Sequence, residues 1–164
     1  MKTLYIVRHA KSSWEDPKTT DINRPLIEKG IKRTIKTINF LIEKKIILDA
    51  IISSHAKRAF DTAKIIADGL NFAKQNIIIN KNIYETDMEG ILEEVLALPD
   101  NYEKVMLVSH NPGVTQFVNN YLDAKIDYLP TSAIVSLSFQ TNKWENIDSC
   151  YRKTNFVVYP KEFK

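Results

Sequence analysis

The sequence predicts an α/β fold, a three-layer sandwich whose mainly parallel central sheet carries helices on both faces. Short, fully apolar segments alternate along the chain with amphipathic helical segments, which is typical of β-α-β units and a parallel sheet. Over residues 133–139 the pattern changes to a period of two, which predicts one antiparallel strand from the C-terminal region. The length of 164 residues suits one domain, and we expect a single domain over residues 1–164.

The first half of the chain predicts three strands and two helices. Apolar runs at residues 4–7, 49–53 and 77–79 are typical of buried strands. Isoleucines at steps of three and four predict a first helix of about five turns. The apolar side of this helix is expected to consist of Ile27, Ile31, Ile35, Ile38 and Ile42. A second helix, ending near Gly69, is marked by Ala59, Ala63, Ile66 and Leu70.

The second half continues the alternation and then becomes rich in strands. Its predicted elements are a helix at 91–96, a strand at 105–108, a helix at 114–121, and strands at 133–139, 144–147 and 155–159. Pro99 ends the first of these helices. The pair Asn142-Lys143 is a candidate hairpin turn, although it lacks the glycine that strengthens such turns.

Composition and charge exclude several classes of function. Hydrophobic residues make up 44% of the chain and charged residues 26%, as in ordinary globular proteins. The net charge of +3 is too small to indicate nucleic-acid binding. The single cysteine, Cys150, permits no internal disulfide and no cysteine-based zinc site, which fits a reducing compartment. The N-terminal apolar run is too short for a signal peptide or a membrane span, so we expect a cytoplasmic monomer or weak dimer.

Polar residues follow three of the predicted strands. Arg8 and His9 end the first strand, Ser54 to Arg58 follow the second, and His110 and Asn111 follow the strand at 105–108. In an open parallel sheet, ligands bind beyond the carboxyl ends of the strands. If these strands are neighbours, His9 and His110 face each other across a small cleft, and both arginines point into it.

Two imidazoles and two guanidiniums favour a dianionic ligand. Arginine matches phosphate oxygens with a planar fork of donors, and helix amino ends add positive partial charge. A neutral imidazole is a competent nucleophile, and nearby guanidinium groups lower its pKa. The residues therefore indicate phosphoryl transfer through a phosphohistidine, stabilised by positive charge rather than by a metal or another cofactor.

Two other interpretations of the histidines remain open at this point. A histidine at a strand end is often structural, although two such histidines beside arginines make this less attractive. A zinc site with His55 as an additional ligand is the second interpretation. The arginines would repel a cation, which weighs against zinc.

Four segments resemble the histidine phosphatase superfamily (the phosphoglycerate mutase-like fold), and more narrowly its SixA-type phosphohistidine phosphatases. The segments are R-H-A-K-S-S-W-E-D-P, D-I-N-R-P-L-I-E-K-G, S-S-H-A-K-R-A-F-D-T-A and S-H-N-P-G. The first of them alone would be a weak signal. Their order along residues 4–139, most of the chain, makes the resemblance specific.

The resemblance implies a role for individual residues. His9 matches the histidine that becomes phosphorylated, and His110 matches the second histidine, which contacts the transferring group. The phosphate-clamping arginines match Arg8 and Arg58. Expected substrate contacts are Lys11, Ser12, Arg24 and Asn111. For Arg24 the alternative is a loop-anchoring salt bridge with Asp21 or Asp16.

At two positions, His55 and Glu85, the resemblance does not by itself assign a role. The family usually has proline after the serine of the third segment, where this chain has His55, so a third imidazole is expected at the rim of the site. Glu85 matches the region of the carboxylate that protonates the leaving group in the wider superfamily. SixA-type members often act without it, since imidazole leaves more easily than an alkoxide.

The short segments between the motifs suggest an open site. Only residues 10–24 and 84–90 could act as flaps. An open site suits a phosphohistidine presented by another protein, such as a phosphotransfer domain or a carrier. The alternatives are a small-molecule phosphomonoesterase or mutase on the same fold, and a non-catalytic phosphate-binding module.

Overall fold

The computed structural model describes residues 1–163, which form one six-stranded sheet with helices on both faces. The strands lie in the order β3-β2-β4-β1-β5-β6. Their bounds are β1 Lys2–Arg8, β2 Ala50–Ser53, β3 Ile78–Ile79, β4 Lys104–Ser109, β5 Ile134–Phe139 and β6 Arg152–Val158. The main helices are α1 Glu28–Glu43, α2 Lys57–Gly69, α3 Met88–Leu96 and α4 Gly113–Asn119. In this part of the chain, no helix is long and apolar enough to cross a membrane.

Strand directions confirm the predicted sheet. Strands β1, β4, β2 and β3 are parallel to one another. Strand β5 is antiparallel to both β1 and β6, so β6 runs in the same direction as β1. One strand from the C-terminal region is therefore antiparallel to the rest, as the period of two in the sequence predicts.

The two faces of the sheet bury two separate hydrophobic cores. In β1, Leu4 and Ile6 point into the core beneath α3 and α4, while Tyr5 and Val7 point into the core beneath α1 and α2. This alternation follows from the period of two of a strand. Because both faces are covered, the strands are apolar on both sides, which explains their continuous apolar runs.

Helix α1 is oriented differently from the prediction. Ile31, Ile35 and Ile42 are exposed, with relative accessibilities of 38%, 47% and 50%. The buried positions of this helix are Gly30, Thr34, Thr37, Ile38 and Leu41. The isoleucines at steps of three and four predicted the helix correctly. They predicted the wrong buried face, because much of the face that packs against the sheet consists of small or polar residues.

Hydrogen bonds explain why polar residues of α1 are buried. Thr37 donates to the carbonyl oxygen of Ser132 at 2.8 Å, and the hydroxyl groups of Thr34 and Ser132 lie 2.8 Å apart. The backbone N–H of Ser132 donates to the carbonyl oxygen of Arg8 at 3.0 Å. The buried face of α1 therefore supports the end of β1 through Ser132.

The C-terminal segments also differ from the prediction. Residues 144–147 are not a strand: Trp144–Asn146 form a short 3-10 helix. The indole N–H of Trp144 donates to the carbonyl oxygen of Tyr102 at 2.9 Å, and the side chain is fully buried. The candidate turn at Asn142-Lys143 joins no hairpin, because the partner of β5 begins only at Arg152. A buried aromatic residue within a polar loop gives the same local signal as a short strand.

Candidate active site

The carboxyl ends of β2, β4 and β1 lie side by side and bring the predicted residues together. Arg8 pairs with Ser109 across the sheet, and the backbone N–H of His9 donates to the carbonyl oxygen of Ser109 at 3.1 Å. His110 follows directly, and the ring centroids of His9 and His110 lie 5.0 Å apart. Both imidazoles are 7% exposed. Two histidines about a hundred positions apart in sequence thus lie next to each other because their strands are neighbours.

The hydrogen bond of His9 determines which ring nitrogen is free. Its Nδ1 lies 2.7 Å from the carbonyl oxygen of Ala10, which can only accept, so Nδ1 carries the proton. Burial, with the charges of Arg58, Arg8 and Arg24, lowers the pKa of His9 to about 3, although the hydrogen bond to Ala10 opposes this. At neutral pH the Nε2 atom therefore holds an unprotonated lone pair.

His110 is held through its other nitrogen. Its Nε2 lies 2.7 Å from the hydroxyl oxygen of Ser54, which also accepts a hydrogen bond from the backbone N–H of Ala56 at 3.1 Å. The serine hydroxyl is fully satisfied when it donates to Nε2, which leaves the imidazole proton on Nδ1. Burial, followed by the neighbouring His9 and the guanidinium of Arg58, lowers the pKa of His110. It is a neutral group that presents an N–H donor.

Arg8 and Arg58 are anchored by some of their donors and leave others unpaired. Arg58 donates from Nη1 to the carbonyl oxygen of Asp21 at 2.7 Å and from Nη2 to its carboxylate at 3.1 Å. Arg8 donates from Nη1 to the carbonyl oxygen of Leu129 at 3.2 Å. Within residues 1–163, four buried side-chain nitrogens have no hydrogen-bond partner: the Nε atoms of both arginines, Nδ1 of His110 and, beside Tyr84, Nδ1 of His55. Unpaired buried donors are rare and require an explanation.

Asp21 connects the loop of residues 10–24 to the arginines. Arg24 donates to its carboxylate at 3.1 Å and to the hydroxyl oxygen of Ser12 at 2.7 Å. The phenol of Tyr84 donates to the same carboxylate. Burial opposes ionisation, but the hydrogen bonds from Tyr84 and Arg24 and the charge of Arg58 lower the pKa of Asp21 to about 2. Asp21 is a permanent anion that orients Arg24 and Arg58.

The other predicted residues lie around this centre in different ways. Lys11 is exposed on the wall of the cleft. Asn111 donates to the carbonyl oxygen of Leu129 at 3.0 Å and accepts from Thr115 at 2.6 Å, so its amide is engaged in the loop. Glu85 is exposed. His55 is half-buried and its ring lies edge-on to Tyr84, with centroids 5.0 Å apart.

Sequence reasoning missed Tyr84 and gave Asp21 only a minor role. The ring of Tyr84 lies 5.4 Å from that of His110 and 5.9 Å from the guanidinium carbon of Arg58. Its position directly before Glu85 was the available signal. For Asp21 the signal was the salt bridge considered for Arg24, which the structure contains at 3.1 Å.

A cleft of about 310 Å³ opens beside Arg8 and His9. Trp14 forms part of its wall, with the guanidinium carbon of Arg24 3.2 Å from the ring centroid. Trp14 is 76% exposed, so the rim of the cleft carries a large apolar surface. In the described chain, no group of three or more histidine, cysteine or acidic side chains is arranged to hold a metal ion.

Three comparisons relate the chain to known proteins. A solved structure of the protein histidine phosphatase SixA complexed with tungstate superimposes with a TM-score of 0.82 over 98% of both chains, at 21% identity. A protein named SixA from Agrobacterium tumefaciens also gives a TM-score of 0.82, over 97% of this chain and 98% of that one, at 22% identity. An uncharacterized chloroplastic protein of Arabidopsis thaliana is 28% identical over an alignment 155 residues long, which covers 88% of this chain and 69% of that protein.

The solved structures establish the fold, while membership of a family follows from the sequence. The profile of the histidine phosphatase superfamily (branch 1) matches residues 4–105, more than half of the chain. The matched range includes β1, with Arg8 and His9 at its end, and Arg58 at the start of α2. The chain therefore belongs to the histidine phosphatase superfamily.

Proposed function

We propose that the protein is a phosphatase that removes phosphate from a protein phosphohistidine through a covalent phosphohistidine on His9. The observation that carries the proposal is the set of three buried, unpaired donors beside the nucleophile. They are Nε of Arg8, Nε of Arg58 and Nδ1 of His110. A phosphoryl group supplies the acceptor oxygens that such donors require, and its charge suits the guanidinium groups.

The proposed reaction has two steps. In the first, the lone pair on Nε2 of His9 attacks phosphorus, and the P–N bond of the substrate breaks with its electron pair moving to the leaving ring nitrogen. The substrate ring reacts with its other nitrogen protonated, so it leaves as neutral imidazole, and His9 becomes a phosphoimidazolium that keeps its proton on Nδ1. In the second, water attacks the phosphorus on His9, the new P–N bond breaks with its electron pair returning to Nε2, and both protons of the water leave on the dihydrogen phosphate. The arginines and His110 stabilise charge on the phosphoryl oxygens in both steps. No metal or other cofactor is needed, because the stabilising charge comes from side chains.

The choice of leaving group rests on the surroundings of Glu85. An alkoxide leaving group requires a proton donor at the reacting centre. Glu85 is exposed, so the structure supplies no buried carboxylic acid at this position. Exchange of one P–N bond for another is nearly balanced in energy, so a phosphohistidine substrate fits a site without a strong acid. The similar structure solved with tungstate is that of a protein histidine phosphatase, which supports a phosphohistidine substrate.

Trapping of the phosphoenzyme tests the role of His9. Wild-type protein incubated with a labelled phospho-carrier protein and quenched should carry an acid-labile, alkali-stable label, and His9→Ala should carry none. His55→Ala is the matched control, since that imidazole lies at the rim, and it should still be labelled. A stable label in His9→Ala would exclude His9 as the nucleophile.

A substrate panel distinguishes the alternatives. The phospho-carrier should lose phosphate far faster than sugar or glycerate phosphates do, chelators should have no effect, and vanadate should inhibit. Faster turnover of the small esters, with dependence on Glu85, would instead indicate a small-molecule phosphomonoesterase or mutase. Phosphate binding without turnover of any substrate would indicate a non-catalytic binding module.

A further inference from the structure

We propose that a basic groove on the outer face of α1 binds an acidic segment of the phosphoprotein substrate, and this inference rests on the proposed function. The basic groove is defined by Lys29, Lys32, Arg33, Lys36 and Lys161. Lys29 lies in the second of the four family-like segments, where it was given no role, and the other four residues lie outside those segments. The proposal therefore assigns partner recognition to a surface separate from the reacting atoms.

The basic groove is continuous with the cleft at His9. Arg33 and Lys161 line the cleft that contains Arg8 and His9, and they also line the adjoining groove. Lys161 reaches this edge because β6, which β5 separates from β1, runs in the same direction as β1 and ends at Val158. A chain bound with its phosphohistidine at His9 can thus continue directly along α1.

Charge in the groove is largely uncompensated. Glu28 is the acidic residue among those that line it, and it pairs with Lys32 at 3.2 Å in an exposed contact. Among residues 1–163, the other four cations of the groove form no salt bridge. An excess of one sign in a concave surface attracts ligands of opposite charge and accelerates their association.

The neighbouring helix α2 shows the opposite arrangement. Lys57 and Lys64 both pair with Asp61, at 3.1 and 3.2 Å, and Lys74 pairs with Asp68 at 3.3 Å. Each of these three lysines therefore has an acidic partner, although Lys57 and Lys64 share one, whereas only Lys32 of the basic groove is paired. Since the whole chain carries a net charge of only +3, the groove concentrates positive charge on one side of the site.

The size of the groove limits its occupant. Lys29 and Lys36 are seven residues apart on α1, which corresponds to about 10 Å along the helix. That length matches three to four residues of extended peptide or about two turns of a helix. A nucleic acid fits less well, because the groove leads into a cleft whose proposed chemistry acts on a phosphorylated side chain.

Two phosphohistidine peptides of equal length test the proposal, one with four glutamates beside the histidine and one with four glutamines. At low salt, kcat/KM for the glutamate peptide should exceed that for the glutamine peptide by about tenfold or more. The ratio of these two kcat/KM values should approach one in R33E/K161E. In wild type the same ratio should decrease at high salt. The control K104E/K153E changes the charge equally at the opposite edge of the sheet and should keep the wild-type ratio.

The outcomes separate this inference from the proposed function. Equal turnover of both peptides by wild type would contradict the proposed role of the basic groove and leave the phosphatase proposal intact. An unchanged ratio of the two kcat/KM values in R33E/K161E would do the same. If neither peptide is turned over, the proposed function fails, and the basic groove is then tested by the binding of the two unphosphorylated peptides. Tighter binding of the glutamate peptide, lost in R33E/K161E but retained in R33Q alone, supports an acidic ligand for the basic groove. Equal binding of the two peptides refutes it. Tighter binding of a single-stranded RNA oligomer would reassign the groove to nucleic acid.

Discussion

Replacing Ser54 with alanine should impair the reaction without removing any group that touches the substrate. The serine hydroxyl lies 2.7 Å from Nε2 of His110 and fixes the imidazole proton on Nδ1, where it can meet a phosphoryl oxygen. In Ser54→Ala the neutral imidazole can carry its proton on either nitrogen. The fraction of molecules with a donor on Nδ1 then decreases.

The magnitude follows from the burial of Ser54, which is fully inaccessible. One buried hydrogen bond contributes about 0.5–1.5 kcal/mol, which limits the change in tautomer preference to roughly tenfold. We therefore expect kcat to fall by up to about tenfold. His110→Ala removes the donor completely and should cost about two to three orders of magnitude, as for one oxyanion-hole donor. The backbone N–H of Ala56 also loses its acceptor, so unfolding free energy should fall by about 1–3 kcal/mol.

The assay combines single-turnover kinetics with ¹⁵N NMR of the histidine side chains. Wild type should show the proton of His110 on Nδ1, and Ser54→Ala should show a mixture. Ser53→Ala is the matched control, because this buried neighbour donates to the carbonyl oxygen of Ser54 and does not contact His110. Wild-type kinetics in Ser54→Ala, or an Nε2 proton on His110 in wild type, would refute the reasoning.

Three further predictions concern the loop, the acid and the stability of the site. Gly30→Ala should lower the unfolding free energy by about 1–3 kcal/mol and reduce activity, because a Cβ there would lie 2.4 Å from the carbonyl oxygen of Lys11. An unchanged melting temperature would contradict this prediction. Glu85→Gln should leave turnover of phosphohistidine nearly unchanged, as measured by kcat/KM, whereas a loss of two orders of magnitude would make Glu85 the acid. Folding lowers the pKa values of His9 and His110, so below pH 6.5 the unfolded chain binds more protons than the folded chain. The unfolding free energy should therefore decrease as the pH falls from 6.5 towards 3. Denaturant titrations at pH 7 and 5 should differ by roughly 1–2 kcal/mol per histidine, and a smaller loss is expected in His110→Gln.

The sheet and the meeting of His9 and His110 at its edge could be predicted because both follow from local patterns. Apolar runs mark strands that are covered on both faces, and parallel neighbours place the residues after them at one edge. His9 and His110 could be found in this way. Asp21 and Tyr84 could not, since they lie in the irregular segments 10–24 and 84–90, where no periodicity determines which way a side chain points.

Helix α1 could be located but not oriented from its sequence. Its isoleucines suggested a buried stripe, yet Ile35 and Ile42 face outward while Thr34 and Thr37 are buried against Ser132. A threonine that hydrogen-bonds across a layer can occupy a buried position as well as an isoleucine. That partner lies about a hundred residues away in sequence, so it has no local signal.

The two sides of α1 meet different structural demands. Thr34 and Thr37 support Ser132 and through it the end of β1, so substitutions there would displace His9. The outer side carries the basic groove, including Lys29 and Arg33, and lies away from these contacts. Under the proposed function, surface mutation could therefore exchange one phosphoprotein substrate for another while the interior of the same helix stays unchanged.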